Sequence, residues 1–91
     1  MERNLEKTMD DVINTEGVIG CILADHQGLC LGAKGKASGD SAGLIAAIAD
    51  QAAKLEPGSK SPIIYLQNDT RQCLIHRQGP VVAAIYKQVS S

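Results

Sequence analysis

The side chains able to do chemistry in this chain are few: Cys21, Cys30, Cys73, His26 and His76, with carboxylates scattered between them. No two cysteines form a CxxC pair, and no histidine stands at ligand spacing from a cysteine or from the other histidine. Three reduced cysteines acting as small apolar side chains is the reading this pattern supports. His26 falls in the turn Asp25-His26-Gln27-Gly28, a solvated position, and His76 stands late in a strand beside Arg77. Catalysis needs a nucleophile or a base converging with groups that orient it, and no such set is visible. Gly28, Gly32 and Gly35 resemble a phosphate-cradling loop only superficially. They lack the Lys-Ser/Thr ending and do not open directly into a helix. Turn geometry and close packing account for them. The sequence therefore predicts a chain that is not an enzyme, with no catalytic residues, no metal and no cofactor.

Bulk properties narrow the classes further. Ninety-one residues predict one domain, residues 1–91, with a thin core. Trp and Phe are absent, and Tyr65 and Tyr86 are the two aromatic residues, so the core must be built from Ala, Val, Ile and Leu. Such side chains bury little area each, and association with a second subunit would compensate. Nine basic and ten acidic residues are interspersed, which leaves no electrostatic footprint for nucleic acid or an anionic membrane. The scarcity of aromatics also removes base-stacking platforms. No apolar run approaches the ~20 residues that span a bilayer. The polar, helix-patterned start is unlike a secretory signal, and neither end carries an acylation or prenylation motif. The expectation is a cytoplasmic chain with no direct insertion into a membrane.

The elements follow from periodicity and punctuation. Residues 2–14 read as an amphipathic helix, with Leu5, Met9, Val12 and Ile13 on one side. Val18 to Asp25 is a strand apolar on both faces, the pattern of a strand covered on both sides. Leu29 to Ala33 returns from the turn at Gly28 as a second strand. Residues 40–55 form the long helix, which stops before Pro57-Gly58. Ile63 to Gln67, Gln72 to Arg77 and Pro80 to Tyr86 are three further strands, separated by turns at Asn68-Asp69-Thr70 and Gln78-Gly79. The first and last strands are apolar on both faces and belong side by side in the centre. The predicted fold is α/β (α+β): helix-strand-strand-helix-strand-strand-strand, a five-stranded antiparallel sheet in the order 2-1-5-4-3 with one helix on each face.

The long helix carries more apolar surface than one sheet requires. At about 100° per residue, Leu44, Ile45, Ile48, Ala52 and Leu55 share one face, and Ala42, Ala46, Ala49 and Ala53 the face beside it. The large residues are expected in the domain core. The smooth alanine face is then left for a second chain to approach. The third strand, Ile63-Ile64-Tyr65-Leu66, lies at the sheet edge and carries no Lys, Glu or Pro to blunt it. The predicted partner interface is therefore Ala42, Ala46, Ala49, Ala53, Ile63, Ile64, Tyr65 and Leu66. On this reading Ala49→Glu or Ala53→Glu breaks pairing and leaves the domain folded.

The element order, the strand start Val18-Ile19-Gly20, the run Asp25-x-Gln27-Gly28-Leu29-x-Leu31-Gly32-x-x-Gly35 and the helix end Gln51-Ala52-Ala53-Lys54-Leu55 together resemble the roadblock family. That family is related to profilin-like and longin domains. Within it, the likeness is to the roadblock-type subunits of the Ragulator (LAMTOR) scaffold, and it covers nearly the whole chain. Many roadblock proteins continue past the last strand into a further helix, whereas a few residues follow it here. The resemblance implies pairing of two domains through the long helix and the edge strand, merging two five-stranded sheets. It also implies a place in a larger Ragulator assembly that recruits Rag GTPases, which bring the TOR kinase complex to late endosomes and lysosomes in response to amino acids. The chain would reach those membranes only through its partners. Two alternatives stay open at this point: a small-ligand-binding sensor, and a homodimeric roadblock adaptor that associates with itself when alone.

Overall fold

The structure, a computed structural model, describes residues 5–55, 57–58 and 62–89. The helical turn predicted from residue 2, and loop positions 56 and 59–61, lie outside the described residues.

Helix α1 spans Leu5–Ile13. Its side toward the sheet carries Met9, buried, and Val12, half-buried. An ion pair between Lys34 Nζ and Asp10 Oδ1, at 2.9 Å, ties it to the second strand. Strand β1, Val18–Asp25, then enters the middle of the sheet. The turn that follows is held by Asp25, whose Oδ1 accepts from the backbone N–H groups of Gln27 and Leu29, both at 2.9 Å. Gly28 closes it at φ +91°, left of the barrier that L side chains face, and a Cβ there would lie 3.0 Å from Gly43 Cα. The glycine is thus required twice, by its dihedral and by the helix that passes over it.

Strand β2 runs Cys30–Gly35, beginning one residue later than the sequence pattern predicts and reaching two further. The chain then turns through a short 3-10 segment, Gly39–Ser41, whose cap is Ser38: its Oγ accepts from Asp40 N–H at 3.2 Å. Helix α2 follows as Ala42–Ala53, so the predicted helix over 40–55 is shortened at both ends. Strands β3 (Ile63–Gln67), β4 (Arg71–Gln78) and β5 (Val81–Gln88) complete the chain. The sheet order is β2-β1-β5-β4-β3, every pairing antiparallel, as the sequence predicts. The β3–β4 turn is an Asn68 cage, with Oδ1 accepting from the backbone N–H of Thr70 at 2.9 Å and of Arg71 at 2.8 Å.

Two apolar layers flank the sheet. On the α2 side, Ile22, Ala24, Ile75, Val82 and Ala84 meet Ala42, Ile45 and Ala49 of the helix. On the α1 side, Met9 packs with Cys21 and Leu23. Alternation along β1 and β5 supplies both layers, which is why these two strands read as apolar on both faces. Replacing Gly28 by Ala is predicted to lower stability by about 1–2 kcal/mol through the strained φ, read as a lower midpoint in urea unfolding.

Candidate association surface

Helix α2 decides where this surface lies, and it corrects the sequence reading. Ala42, Ala46 and Ala49 are buried within the chain itself, and Ala53 is half-buried on the same arc. Ala42 and Ala49 sit in the core beside Ala24 and Ala84 of the sheet. They are not a free face for a partner. The physical reason is size. Strands β1 and β5 present small side chains at their centre, and a helix can settle close to them only with alanines inward.

The large residues assigned to the core are displaced accordingly. Ile45 remains inside, but Leu44 is 66% exposed and Leu55 82% exposed. Leu44, Ala47, Gln51 and Leu55 form the outward side of the helix and its final turn, with Ile48 half-buried at its margin. Nothing on that stripe is charged. Asp50 and Lys54, one turn apart at 3.4 Å, lie off it as an exposed pair that contributes little to stability.

The predicted edge is in place. Among the described residues β3 pairs with β4 alone, which leaves its other side as a sheet edge. Ile63 is 60% and Tyr65 64% exposed, and Leu66 is exposed as well. Ile64 points to the α2 side and packs against the same core as Ile48. Ile63 and Tyr65 alternate with it and stand on the α1 face of the sheet. Of the eight residues expected at an interface, Ile63, Tyr65 and Leu66 are exposed on the edge strand, Ile64 and Ala53 are half-buried, and Ala42, Ala46 and Ala49 are buried. Leu44 and Leu55, expected in the core, are exposed instead. A signal for them existed in the polar neighbour that shares their side, Gln51.

The groups able to do chemistry stay apart. Cys21 is buried in the α1 layer, and burial pushes its thiol pKa up. Cys73 is half-buried beside Tyr86, its cross-strand neighbour. Burial raises its pKa too, with the Tyr86 hydroxyl acting against that rise. Tyr86 is raised by burial first and by the neighbouring thiol second. A thiol held protonated is a poor nucleophile. Cys30 is exposed on the opposite edge strand. His26 is exposed in its turn and His76 borders a groove beside α1, on the other face from Cys73. Among the described residues no group of three or more His, Cys, Asp or Glu is placed to hold a metal ion. The groove, ≈ 280 Å³, is lined mainly by Met9, Val12, Leu23, Val81 and Ile85. It is apolar, and among the described residues no buried side-chain nitrogen or oxygen lacks a partner. Thr8, His76 and Gln78 are the polar side chains on its lining.

Comparison with known proteins identifies the lineage. The family profile described as Ragulator complex protein LAMTOR5 matches residues 1–87. The chain belongs to the LAMTOR5 family. The LAMTOR5 homolog of Nematostella vectensis is 42% identical over 88 residues, which span 96% of this chain and 97% of that one. Ragulator complex protein LAMTOR5 of Xenopus tropicalis is 31% identical over 91 residues, 99% of this chain and 100% of that protein. Among solved structures, Myxococcus xanthus MglB superposes with a TM-score of 0.77 at 17% identity, over 90% of this chain and 73% of its own. A roadblock/LC7 domain from Streptomyces avermitilis superposes at 0.79 and 13% identity, over 94% and 79%. At those identities the likeness is one of fold, and it places the LAMTOR5-family chain in the roadblock architecture.

Two outcomes follow from these placements. Ala49→Glu is predicted to destabilise the fold itself, by about 3 kcal/mol or more, because a charge enters a closed core. Loss of the cooperative thermal transition checks it. In alkylation by iodoacetamide at pH 8, Cys30 reacts first, and Cys21 and Cys73 react at comparable rates only after denaturant is added.

Proposed function

We propose that this chain is a non-catalytic subunit of a Ragulator-type scaffold, and that it works by pairing with another roadblock-type subunit. The observation that carries the reading is the uncharged rim: Leu44, Ile48 and Leu55 on the helix side, and Ile63, Tyr65 and Leu66 on an open strand. Apolar surface gathered beside an unpaired strand edge is a hazard in an isolated protein and a docking surface in an assembled one. A strand edge offers backbone hydrogen bonds, and the helix stripe beside it offers area to bury. A second domain with the same two features satisfies both at once.

Membership of the LAMTOR5 family supports the wider role. In that role the paired subunits sit in a larger assembly that recruits Rag GTPases for amino-acid signalling to the TOR kinase complex. Among the described residues no helix is long and apolar enough to cross a membrane. Association with late endosomes and lysosomes is therefore assigned to the partner chains. The surface chemistry is equally open to self-pairing, because no charge opposes a second copy.

Co-expression with roadblock-type subunits from the same genome tests the proposal by light scattering on size-exclusion fractions. The expected result is a stable one-to-one complex. Leu44→Glu is predicted to weaken it by more than about tenfold, since a charge is then desolvated at the contact. Being exposed in the free chain, the same substitution should change its stability by less than about 0.5 kcal/mol. A complex as tight as wild type would remove α2 from the interface.

A further inference from the structure

We infer that the partner subunit presents a carboxylate side chain to Arg71, in a pocket on the α2 face of the sheet where β3 ends. This rests on the pairing proposed above and adds the chemistry that selects the partner.

Strand alternation builds the pocket. Cys73 and Tyr86 pack against the core on the α2 side. Leu66 stands opposite Cys73, and Arg71 precedes Cys73 by two residues on β4. Alternation therefore puts all four side chains on the same face. They border a pocket of ≈ 350 Å³ that Gln67, Asn68 and Gln72 complete. Leu66 is also the last apolar residue of the edge strand, so the pocket continues the uncharged rim. Among the described residues on this lining, Arg71 alone carries a charge. The other polar side chains engage one another or the backbone. Asn68 Oδ1 accepts from the backbone N–H groups of Thr70 and Arg71. Gln72 Nε2 donates to Gln67 Oε1 at 3.0 Å. The Tyr86 hydroxyl is shared with Cys73 and Ser41. Among the described residues no carboxylate pairs with the Arg71 guanidinium.

The chemistry of the occupant follows. In the free chain Arg71 is exposed, and water solvates it. A partner that covers Leu66 also covers the mouth of the pocket and takes the guanidinium out of water. A charge desolvated without a counter-charge opposes binding strongly. A carboxylate removes that penalty, and the planar guanidinium can hold both of its oxygens at once. The same group separates two occupants that the uncharged rim alone accepts equally. The one acidic residue on α2 is Asp50, and Lys54 already answers it at 3.4 Å. A second copy therefore brings its helix carboxylate with a cation attached. A different roadblock-type subunit, with an acidic side chain not neutralised in this way, satisfies Arg71, and that subunit is the occupant.

The test uses the one-to-one complex with a co-expressed roadblock-type subunit, its association and dissociation rates being read separately. Arg71→Gln is expected to speed dissociation by at least about tenfold, because the partner's carboxylate is left unpaired. Arg71→Lys recovers part of that loss, since it restores the charge without the planar fork. The free chain keeps its urea midpoint in both variants, as the side chain is exposed there. Arg71→Glu weakens the complex further, and changing one acidic residue of the partner to lysine restores it. Wild-type dissociation in Arg71→Gln overturns the inference. So does an effect confined to association that disappears at about 0.5 M salt, which would leave Arg71 a solvated rim charge. Absence of any partner acidic residue whose change to lysine rescues Arg71→Glu overturns it as well. In each of these cases a complex still weakened by Leu44→Glu keeps the pairing. Failure of every roadblock-type subunit to form a complex overturns the pairing, and this inference with it.

Discussion

The close seat of α2 on β1 and β5 is the contact from which the rest of this structure follows. Ala42 and Ala49 meet Ala24 and Ala84 across a layer only a few small side chains deep, closed by Ile22, Ile45, Ile75 and Val82. Small side chains on both sides let the backbones approach, and dispersion contacts accumulate over a short gap. The same closeness dictates what surrounds it. Gly28 is required where the β1–β2 turn passes under Gly43. With the alanines and Ile45 turned inward, Leu44 and Leu55 face out.

A thin core of this kind leaves the protein with unfinished surface. The two helices cover β1, β2, β5 and part of β4, and β3 is flanked on one side alone. Its side chains are uncharged from Ile63 to Gln67, and among the described residues it pairs with β4 alone. Edge strands in proteins that work alone are normally blunted by charge, proline or a covering loop. The absence of those devices here is consistent with selection for an assembled state. The scaffold role of the LAMTOR5 family and the physical incompleteness of the domain are thus two views of one property.

The architecture was legible in the sequence to an unusual degree. Both-face apolar patterns in β1 and β5 placed them at the centre, and the turns at Gly28, Asn68 and Gly79 fixed the hairpins, from which the strand order follows. Element ends were less legible. The long helix lost its first two residues to a 3-10 turn capped by Ser38, because several Ser and Asp residues compete there for the cap. The edge position of Ile63 to Leu66 came directly from the strand order. The assignment of helix faces did not: the alanine arc turns inward together with Ile45, and Leu44 and Leu55 turn out.

That shift of the buried arc marks the boundary between the two kinds of information. Periodicity and punctuation are local, and they determined the elements, their order in the sheet and the family resemblance. A helical wheel reports that two arcs are apolar, and hydrophobicity alone puts the larger one inside. Which arc faces the sheet depends on the volume that the sheet leaves free, and that volume is set by residues distant in sequence: Ala24 before the helix and Ala84 after it. Only the folded chain brings those alanines against Ala42 and Ala49. The sequence by itself thus determined that this protein has surplus apolar surface and an open edge. The tertiary structure decided that the surplus is leucine and isoleucine rather than alanine, because close packing of small side chains had already claimed the interior.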